Sequence, residues 1–507
     1  MKRHIFKITI LSLLVFAYNC SDYLDVNHNP NVIENIDDPK IILPTAQVTL
    51  GNNLMGWDFG FGGGYWSEYW TQAYTASQFK VLCQYEDVDF DYAYTGLVTE
   101  TLIDLKTIKE LSTENEEYTG YAYIAEALSI FTWQIATDVW GDIPYTEALQ
   151  GNQGVLSPVF DSGESIYADL LKRVNALIAT DPSDYYVTPN TDFIYGGDME
   201  QWMYFANALK LKLMLRLSET SGYNNTEVLS FITNNSLLTA TAKIDGSYWT
   251  DAEEGKRHPM REFQEGGANY LSTNVIASKN FIDYLINNSD PRLDALFEAP
   301  SSGHEGAFFG DFDSKKDSDS DGTLDEKENY SMPIFAADMD LIIMSNWEVY
   351  FNIAEVYARA GDATNAKMYY DFGVTASLEQ NSTTDTTIIT SGYATWVNGT
   401  IEENIKQIAM QRWVANANYQ HIESFLERNR TKYPSVNTLD IKRDRQYAFE
   451  NFPVGQLTIS VAGREKTNAR VPVSPVYPTD ILNRNTNAPD QKQDLLEKVW
   501  WNQKVGN

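Results

Sequence analysis

The segment from Gly120 to Ala148, GYAYIAEALSIFTWQIATDVWGDIPYTEA, carries the pattern on which the fold prediction rests. Its apolar side chains recur at three- and four-residue spacing among small alanines, which predicts a helix that another helix can approach closely. The pattern stops between Trp140 and Pro144. There Gly141 can cap the helix, and Pro144 lacks the N–H needed to continue it. We therefore predict a packed helix over residues 120–138 that ends at this turn.

The same amphipathic pattern returns along the chain in pairs of helices. The stretch from Glu348 to Leu378 has large residues where two helices would cross and small ones where they would touch, with Gly361 and Asp362 at the turn. This is the pattern of a tetratricopeptide unit. Two long segments lack it, residues 57–95 and 246–335, and are predicted to be irregular. The predicted helices lie near residues 98–138, 165–218, 345–378 and 402–416.

The N-terminus has the layout of a secretory signal peptide. Three basic residues and the apolar run from Ile8 to Ala17 precede Cys20, and no later segment has the roughly 18 apolar residues of a membrane-spanning helix. A bacterial lipoprotein signal places its lipidated residue at this position, so we predict a signal over residues 1–19 and a lipid on Cys20. The alternative is a cysteine just beyond an ordinary cleavage site. The only other cysteine, Cys83, is left without a partner and is predicted to lie in the core.

Charge narrows the range of partners. The formal net charge of −32 makes nucleic acid and anionic lipid headgroups poor partners, because both require a cationic surface. A neutral or cationic ligand is favoured.

The segment DSDSDGTLDEKE, residues 317–328, has the spacing of a calcium-binding loop. Oxygen donors stand at positions 1, 3, 5, 9 and 12, with glycine at 6 and a backbone carbonyl at 7, as a hard divalent cation requires. The segment carries a net charge of −5, which a cation would offset. The alternative is a solvated acidic loop. We predict a structural calcium ion, with ligands Asp317, Asp319, Asp321, Thr323, Asp325 and Glu328.

Aromatic residues supply the candidate ligand-binding surface. They make up 13% of the chain, and most must fill the space between helices. Several lie instead in Gly- and Asn-rich stretches, where a ring could cover the apolar face of a sugar. Trp66, Trp70 and Tyr74 stand at i, i+4 and i+8, so a helix would align them as one stripe, either core or binding platform. The glycines from 60 to 64 favour a surface loop. The predicted ligand-binding residues are Trp66, Trp70, Tyr74, Arg261, Tyr270 and Phe308.

Hydrolase motifs are missing from the sequence. No G-x-S-x-G or H-E-x-x-H is present, and the five histidines are scattered. A glycosidase carboxylate pair remains possible, because it is defined by spatial separation and not by spacing in the sequence.

Several motifs occur in an order that resembles the SusD/RagB family, in its branch with a short N-terminal region. The chain opens with D-x-N-x-N-P-N within residues 22–31 and then has WGDIPYTEAL at the end of the predicted central helix. Further along come Arg412-Trp413 with the stretch His421 to Pro434, and finally R-x-P, Y-P and N between 470 and 487. Together the motifs extend over nearly all of the chain beyond Cys20.

The resemblance implies a mainly α fold in which a tetratricopeptide-like scaffold of helix pairs carries an irregular, loop-rich ligand-binding portion, as a single domain over residues 20–507. It implies a lipoprotein of the outer membrane, facing the cell exterior. Such a protein captures a glycan or another nutrient, without converting it, and delivers it to a SusC-like, TonB-dependent transporter. Two alternatives belong to other classes. One is a carbohydrate-active hydrolase on a helical scaffold, and the other is a tetratricopeptide adaptor, which would leave the signal peptide and the long irregular insertions without a purpose.

Overall fold

Helices dominate the part of the chain that the computed structural model describes, which comprises residues 38–73, 76, 78–267, 269–312 and 329–506. Several predicted features lie outside the described residues: the signal peptide, Cys20, Tyr74 and the calcium loop with its ligands Asp317, Asp319, Asp321, Thr323, Asp325 and Glu328.

The α-helices of the N-terminal half are α1 Pro39–Leu54, α2 Gly63–Trp66, α3 Lys80–Cys83, α4 Asp91–Tyr94, α5 Leu102–Glu114, α6 Thr119–Trp140, α7 Gly163–Ile178, α8 Met199–Arg216 and α9 Asn225–Asn234. Those of the C-terminal half are α10 Pro259–Glu265, α11 Tyr270–Asn274, α12 Lys279–Asn287, α13 Leu293–Leu296, α14 Asn346–Arg359, α15 Ala363–Gln380, α16 Thr387–Thr390, α17 Ile401–Asn416, α18 His421–Thr431, α19 Arg445–Asn451 and α20 Thr479–Arg484.

Among the described residues the strands are short and form two-stranded pairs. The antiparallel pairs are β1 Trp70–Gln72 with β5 Val275–Ala277, β2 Ile143–Pro144 with β3 Phe160–Asp161, β4 Ala242–Ile244 with β8 Leu341–Met344, and β6 Phe297–Glu298 with β7 Met332–Pro333. A parallel pair is formed by β9 Val436–Asn437 and β10 Leu457–Thr458. The prediction of a mainly α fold is confirmed. The strand pairs connect loops, and the hydrophobic core is formed mainly between helices.

Helix α6 is the central element that the sequence indicated. It packs against α5, α7 and α8, and most of its side chains are buried. It ends at Trp140, where Gly141 adopts φ +85°, a conformation that costs glycine little. The predicted packed helix and its glycine cap are therefore confirmed.

The predicted tetratricopeptide-like pair is formed by α14 and α15. Ser345 caps α14 by accepting a hydrogen bond from the N–H of Glu348, and Asp362 caps α15 in the same way. Between them Gly361 turns the chain at φ +77°. Gly373 lets the helices touch, because a Cβ there would lie 2.7 Å from the ring of Phe351. Helix α17 packs against both α14 and α15.

A buried ionic network fastens these helices together. Arg216 on α8 donates to Asp138 on α6 at 2.9 Å, and to Glu423 and Glu427 on α18 at 2.7 and 2.8 Å. Arg430 on α18 binds Glu355 of α14 at 2.6 Å and Glu427 at 2.7 Å. Paired and hydrogen-bonded in this way, the buried charges avoid the penalty of an isolated ion. The charged motif between His421 and Pro434 is therefore structural.

Cys83 is fully buried, as predicted. Among the described helices none is both long and apolar enough to cross a membrane.

Candidate ligand-binding site

The two irregular segments meet at a short antiparallel strand pair. Trp70 of β1 lies opposite Ala277 of β5, and the N–H of Ser278 donates to the carbonyl of Tyr69 at 3.0 Å. This pairing brings residues after α1 next to helices α10 and α11, although about 200 positions separate them in the sequence. Parts of both segments form the surface described next.

Three partly exposed rings form what we call the aromatic patch, consisting of Trp57, Phe263 and Tyr270. The Trp57 ring lies 5.1 Å from Tyr270 in an edge-to-face arrangement and 5.9 Å from Phe263. Beneath it lie the more buried rings of Phe61 and Phe79, stacked 4.2 Å apart. Because the lower layer fixes the upper one, the patch is a preformed aromatic surface.

Local sequence explains how α10 and α11 present two of these rings. Helix α10 begins at Pro259, a residue favoured in the first turn, and the His258 ring accepts a hydrogen bond from the N–H of Met260. The Ser272 hydroxyl of α11 donates to the carbonyl of Gln264 at 2.6 Å and holds the two short helices together.

The patch carries polar groups with no partner in the described part of the chain. The indole N–H of Trp57 and the hydroxyl of Tyr270 make no hydrogen bond to a described residue. Flat apolar rings beside an indole N–H and a phenol hydroxyl can cover a sugar ring and bond its hydroxyls.

Arg261 flanks the patch and does not join it. It lies two residues before Phe263 on α10, about 200° around the helix. Its guanidinium binds Asp251 at 2.8 Å, Glu265 at 3.2 Å and the carbonyl of Phe335 at 3.3 Å. The hydrogen bond from Arg261 holds the pKa of the Asp251 carboxyl below its ordinary value. Of the predicted ligand-binding residues, Tyr270 lies in the patch and Arg261 beside it.

The predicted stripe of Trp66 and Trp70 does not exist. Helix α2 ends at Trp66, and Trp70 lies in strand β1, so the two do not share a helix face. Trp66 is 6% exposed, donates to the carbonyl of Leu82 at 3.2 Å and packs on Phe90 and Phe425. Trp70 is fully buried. The prediction that they form a binding platform is therefore wrong.

The glycines before Trp66 explain the error. A Cβ at Gly63 would lie 2.6 Å from the backbone of His421 at the start of α18, and one at Gly64 would lie 2.8 Å from the Trp70 ring. These glycines allow close packing of α2 against α18 and do not form the surface loop that was predicted for them.

Phe308 is also a core residue. It is 1% exposed and belongs to a small separate cluster with Ile441 and Ala448, where its ring lies 5.2 Å from Phe449. The prediction that Phe308 contacts a ligand is therefore wrong as well. Trp57 was not among the predicted ligand-binding residues, although it begins the same Gly-rich stretch from which Trp66 was selected.

Two carboxyl groups, the partly buried Asp58 and the fully buried Glu68, have raised pKa values. Burial raises the pKa of Asp58, next to Trp57, to about 6, with Asp89 and Asp91 adding to the effect. Burial raises the pKa of Glu68 to about 8, although Thr458 and Asn280 hydrogen-bond its carboxyl. Asp58 accepts a hydrogen bond from the N–H of Ala93 at 2.8 Å. Both groups are held by the surrounding fold.

Comparison with known proteins gives consistent results. The family model described as SusD-like, starch-binding and associating with the outer membrane matches residues 30–449. The solved structure of a SusD homologue from Bacteroides uniformis is similar, with a TM-score of 0.71 at 20% identity, covering 91% of this chain and 99% of that one. A SusD homologue from Bacteroides fragilis has a TM-score of 0.66 at 21% identity, covering 92% and 99%. A chitin-binding SusD homologue from Flavobacterium johnsoniae has 0.64 at 18%, with the same coverage. No sequence among curated proteins matches significantly.

Proposed function

Because the chain belongs to the SusD/RagB family, we propose that it is a cell-surface protein that captures an oligosaccharide at the aromatic patch and passes it to a transporter. The family assignment supports a glycan-binding, outer-membrane role. The aromatic patch adds a surface of this chain's own residues that suits such a ligand.

The proposal rests on the partial exposure of Trp57 and Tyr270 and on their unpaired polar groups. Both rings are partly exposed, they lie 5.1 Å apart, and neither polar group is used by the described residues. An exposed apolar surface costs free energy in water, so rings left exposed beside unpaired donors favour a ligand with both apolar and hydroxyl faces. A sugar has both.

Delivery to a SusC-like, TonB-dependent transporter completes the proposed role. A lipid on Cys20 would tether the protein to the outer membrane with its binding surface towards the cell exterior. The strongly acidic surface would suit a neutral or cationic cargo.

We propose binding without conversion of the ligand. An acid catalyst needs a raised pKa and access to the ligand. Glu68 has a raised pKa but is 2% exposed, and Asp58 is held by the backbone of Ala93. The hydrolase alternative would require Asp58 to act beside Trp57, with Asp89 or Asp91 as its partner.

To test the proposal, the purified protein is incubated with a panel of starch and chitin oligosaccharides, and both its affinity for each and the formation of any product are measured. Affinity without product supports the proposal, whereas turnover that Asp58→Asn abolishes would establish the hydrolase. Tyr270→Ala should weaken binding. Its matched control is Tyr186→Ala, which removes a 70% exposed tyrosine near Lys40, at the other end of α1, a helix about 24 Å long. Equal binding by both variants would show that the ligand is held elsewhere.

A further inference from the structure

A second cleft, which we call the tyrosine cleft, lies between α12, α15 and α17, with the loop over residues 391–400 along one side. It has a volume of about 510 Å³, which is within the usual range for small-molecule sites. The rings of Tyr284 and Tyr393 line it, edge to face, with their centroids 5.7 Å apart. The tyrosine cleft therefore offers ring surface at a place separate from the aromatic patch.

A buried arginine organises the floor of the tyrosine cleft. Arg292 is fully buried and donates to Asp290 at 2.6 Å and to the Tyr393 hydroxyl at 3.2 Å. It also donates to Gln411 Oε1 at 2.9 Å. Because a guanidinium only donates, this bond identifies the oxygen end of the Gln411 amide. The amide nitrogen therefore points away from Arg292.

Two donors on this floor are unpaired and can be reached from the tyrosine cleft. Gln411 is 1% exposed and lines the cleft, and its Nε2 retains accessible surface but makes no hydrogen bond to a described residue. The half-buried Tyr284 also lines the cleft, and its hydroxyl has no partner among the described residues. Burial raises the pKa of Tyr284, so the hydroxyl keeps its proton and can donate. Nearly enclosed donors without an acceptor favour a ligand that supplies one.

The rim of the tyrosine cleft adds an unpaired positive charge. Lys406 on α17 is exposed and makes no ion pair to a described residue, and its ammonium lies 6.0 Å from the centre of the Tyr433 ring. Glu403 also lines the cleft, but its carboxylate accepts hydrogen bonds from the N–H and the hydroxyl of Thr400, both at 2.8 Å. Charges are screened over about 8 Å at physiological salt, so Lys406 outweighs the distant acidic surface of the protein.

We propose that the tyrosine cleft binds a small carboxylate with an apolar ring face, of the size of a hexuronic acid. The carboxylate accepts hydrogen bonds from Gln411 and Tyr284 on the floor, Lys406 adds its charge from the rim, and the ring lies against the tyrosines. Arg292 strengthens Gln411 as a donor, because hydrogen bonds in a chain polarise one another. A neutral ligand would leave Lys406 unpaired, and a cationic one would be repelled by it. This site goes beyond the proposed function and does not depend on it.

The first test measures the affinity of the full protein for glucuronate, glucuronamide and glucose at about pH 7 and about 0.15 M salt, where the carboxylate is ionised. Glucuronamide has nearly the same shape as glucuronate without the charge. We expect glucuronate to bind at least about tenfold more tightly than the other two, the effect of one charge-assisted contact. Equal affinities would overturn the proposal, as would no binding of glucuronate. Acetate that binds as tightly as glucuronate would also overturn it, because only a simple anion contact would remain.

The second test removes one donor and keeps the ring. Tyr284→Phe should weaken glucuronate binding about tenfold or more, the loss of one hydrogen bond to a charged group. The matched control is Tyr350→Phe, which changes a half-buried tyrosine on α14 whose hydroxyl also has no partner among the described residues. We expect the control to bind glucuronate as the parent protein does. An equal loss in the control, or no loss in Tyr284→Phe, would overturn the site.

A third variant addresses the buried amide. Gln411→Glu keeps an acceptor for Arg292 and replaces the donor by a carboxylate oxygen, which repels an anion. We expect loss of glucuronate binding with oligosaccharide binding at the aromatic patch unchanged, so this site and the proposed function are tested separately. Retained glucuronate affinity in a folded Gln411→Glu protein would remove the basis of the proposal.

A fourth variant tests the charge at the rim if Gln411→Glu does not fold. Lys406→Gln should weaken glucuronate binding about two- to fivefold, the scale of one exposed ion pair, and leave glucuronamide binding unchanged. Its matched control is Lys172→Gln, which removes an exposed lysine on α7 that has no ion pair to a described residue. An equal loss in both variants would show only a general effect of charge and would overturn the assignment.

Discussion

Trp57→Ala and Trp66→Ala should have opposite effects, and the pair tests the assignment of the ligand-binding surface. The two tryptophans are nine residues apart in one Gly-rich stretch, yet Trp57 is partly exposed in the aromatic patch and Trp66 is 6% exposed in the core. We expect Trp57→Ala to weaken oligosaccharide binding and Trp66→Ala to lower the free energy of unfolding.

The magnitudes follow from the contacts of each ring. Losing one stacked ring costs a ligand about 1–3 kcal/mol, or roughly 5- to 150-fold in Kd. Replacing a core tryptophan by alanine costs about 3–5 kcal/mol of stability, and the carbonyl of Leu82 loses the hydrogen bond from Trp66, worth about 1 kcal/mol more. Trp57→Ala should cost less stability than Trp66→Ala, because the Trp57 side chain is already partly exposed in the folded protein.

The assay combines calorimetric titration with the best oligosaccharide of the panel and denaturant unfolding of each variant. Phe308→Ala is the control for a core aromatic away from the patch, and it should lose stability and keep its affinity. A Trp57→Ala protein with unchanged Kd, or a stable Trp66→Ala protein that no longer binds, would refute the assignment.

Three further predictions concern the anchor, the metal loop and a buried acid. Cys20→Ala should release the protein from the membrane fraction, and unchanged retention would contradict lipidation. Chelation should lower the Tm of the parent protein, since calcium at a hundredfold excess over its Kd stabilises the folded state by about 2.7 kcal/mol. The double change Asp317→Ala and Glu328→Ala should abolish that shift. If chelation does not change the Tm of the parent protein, the segment is a solvated acidic loop without bound calcium. Glu68 keeps its proton in the folded state up to about pH 8 and loses it near pH 4.5 when unfolded, so stability should fall as pH rises through this window, by up to roughly 5 kcal/mol. In urea unfolding measured across pH, Glu68→Gln should make the free energy of unfolding less dependent on pH. If this free energy falls with pH as steeply in the variant as in the parent protein, the raised pKa of Glu68 is contradicted.

The helical scaffold could be predicted from the sequence because its determinants are local. The three- and four-residue spacing before Trp140 fixes which face of α6 is buried, and Gly141 and Pro144 fix where it ends. In the same way Gly361 and Asp362 mark the turn between α14 and α15. Such signals act within a few residues and do not depend on the rest of the chain.

The role of each charged motif could not be predicted in this way. The arginines and glutamates between His421 and Thr431 would suit a ligand-binding surface equally well from composition alone. Arg216, Asp138 and Glu355 come from three other helices and convert that segment into a buried ionic network. Only the packing of those helices brings the charges together.

The sequence by itself determined the class of fold, the positions of the main helices and the order of motifs that identifies the family. The tertiary structure alone decided which aromatic rings reach the surface. Exposure depends on what another part of the chain places over a ring: helix α18 and the glycine contacts bury Trp66 and Trp70, while the meeting of β1 with β5 leaves Trp57 beside Tyr270 and open to solvent. The contacts with α18 and between β1 and β5 join residues 200 to 360 positions apart, a range over which a local pattern carries no information.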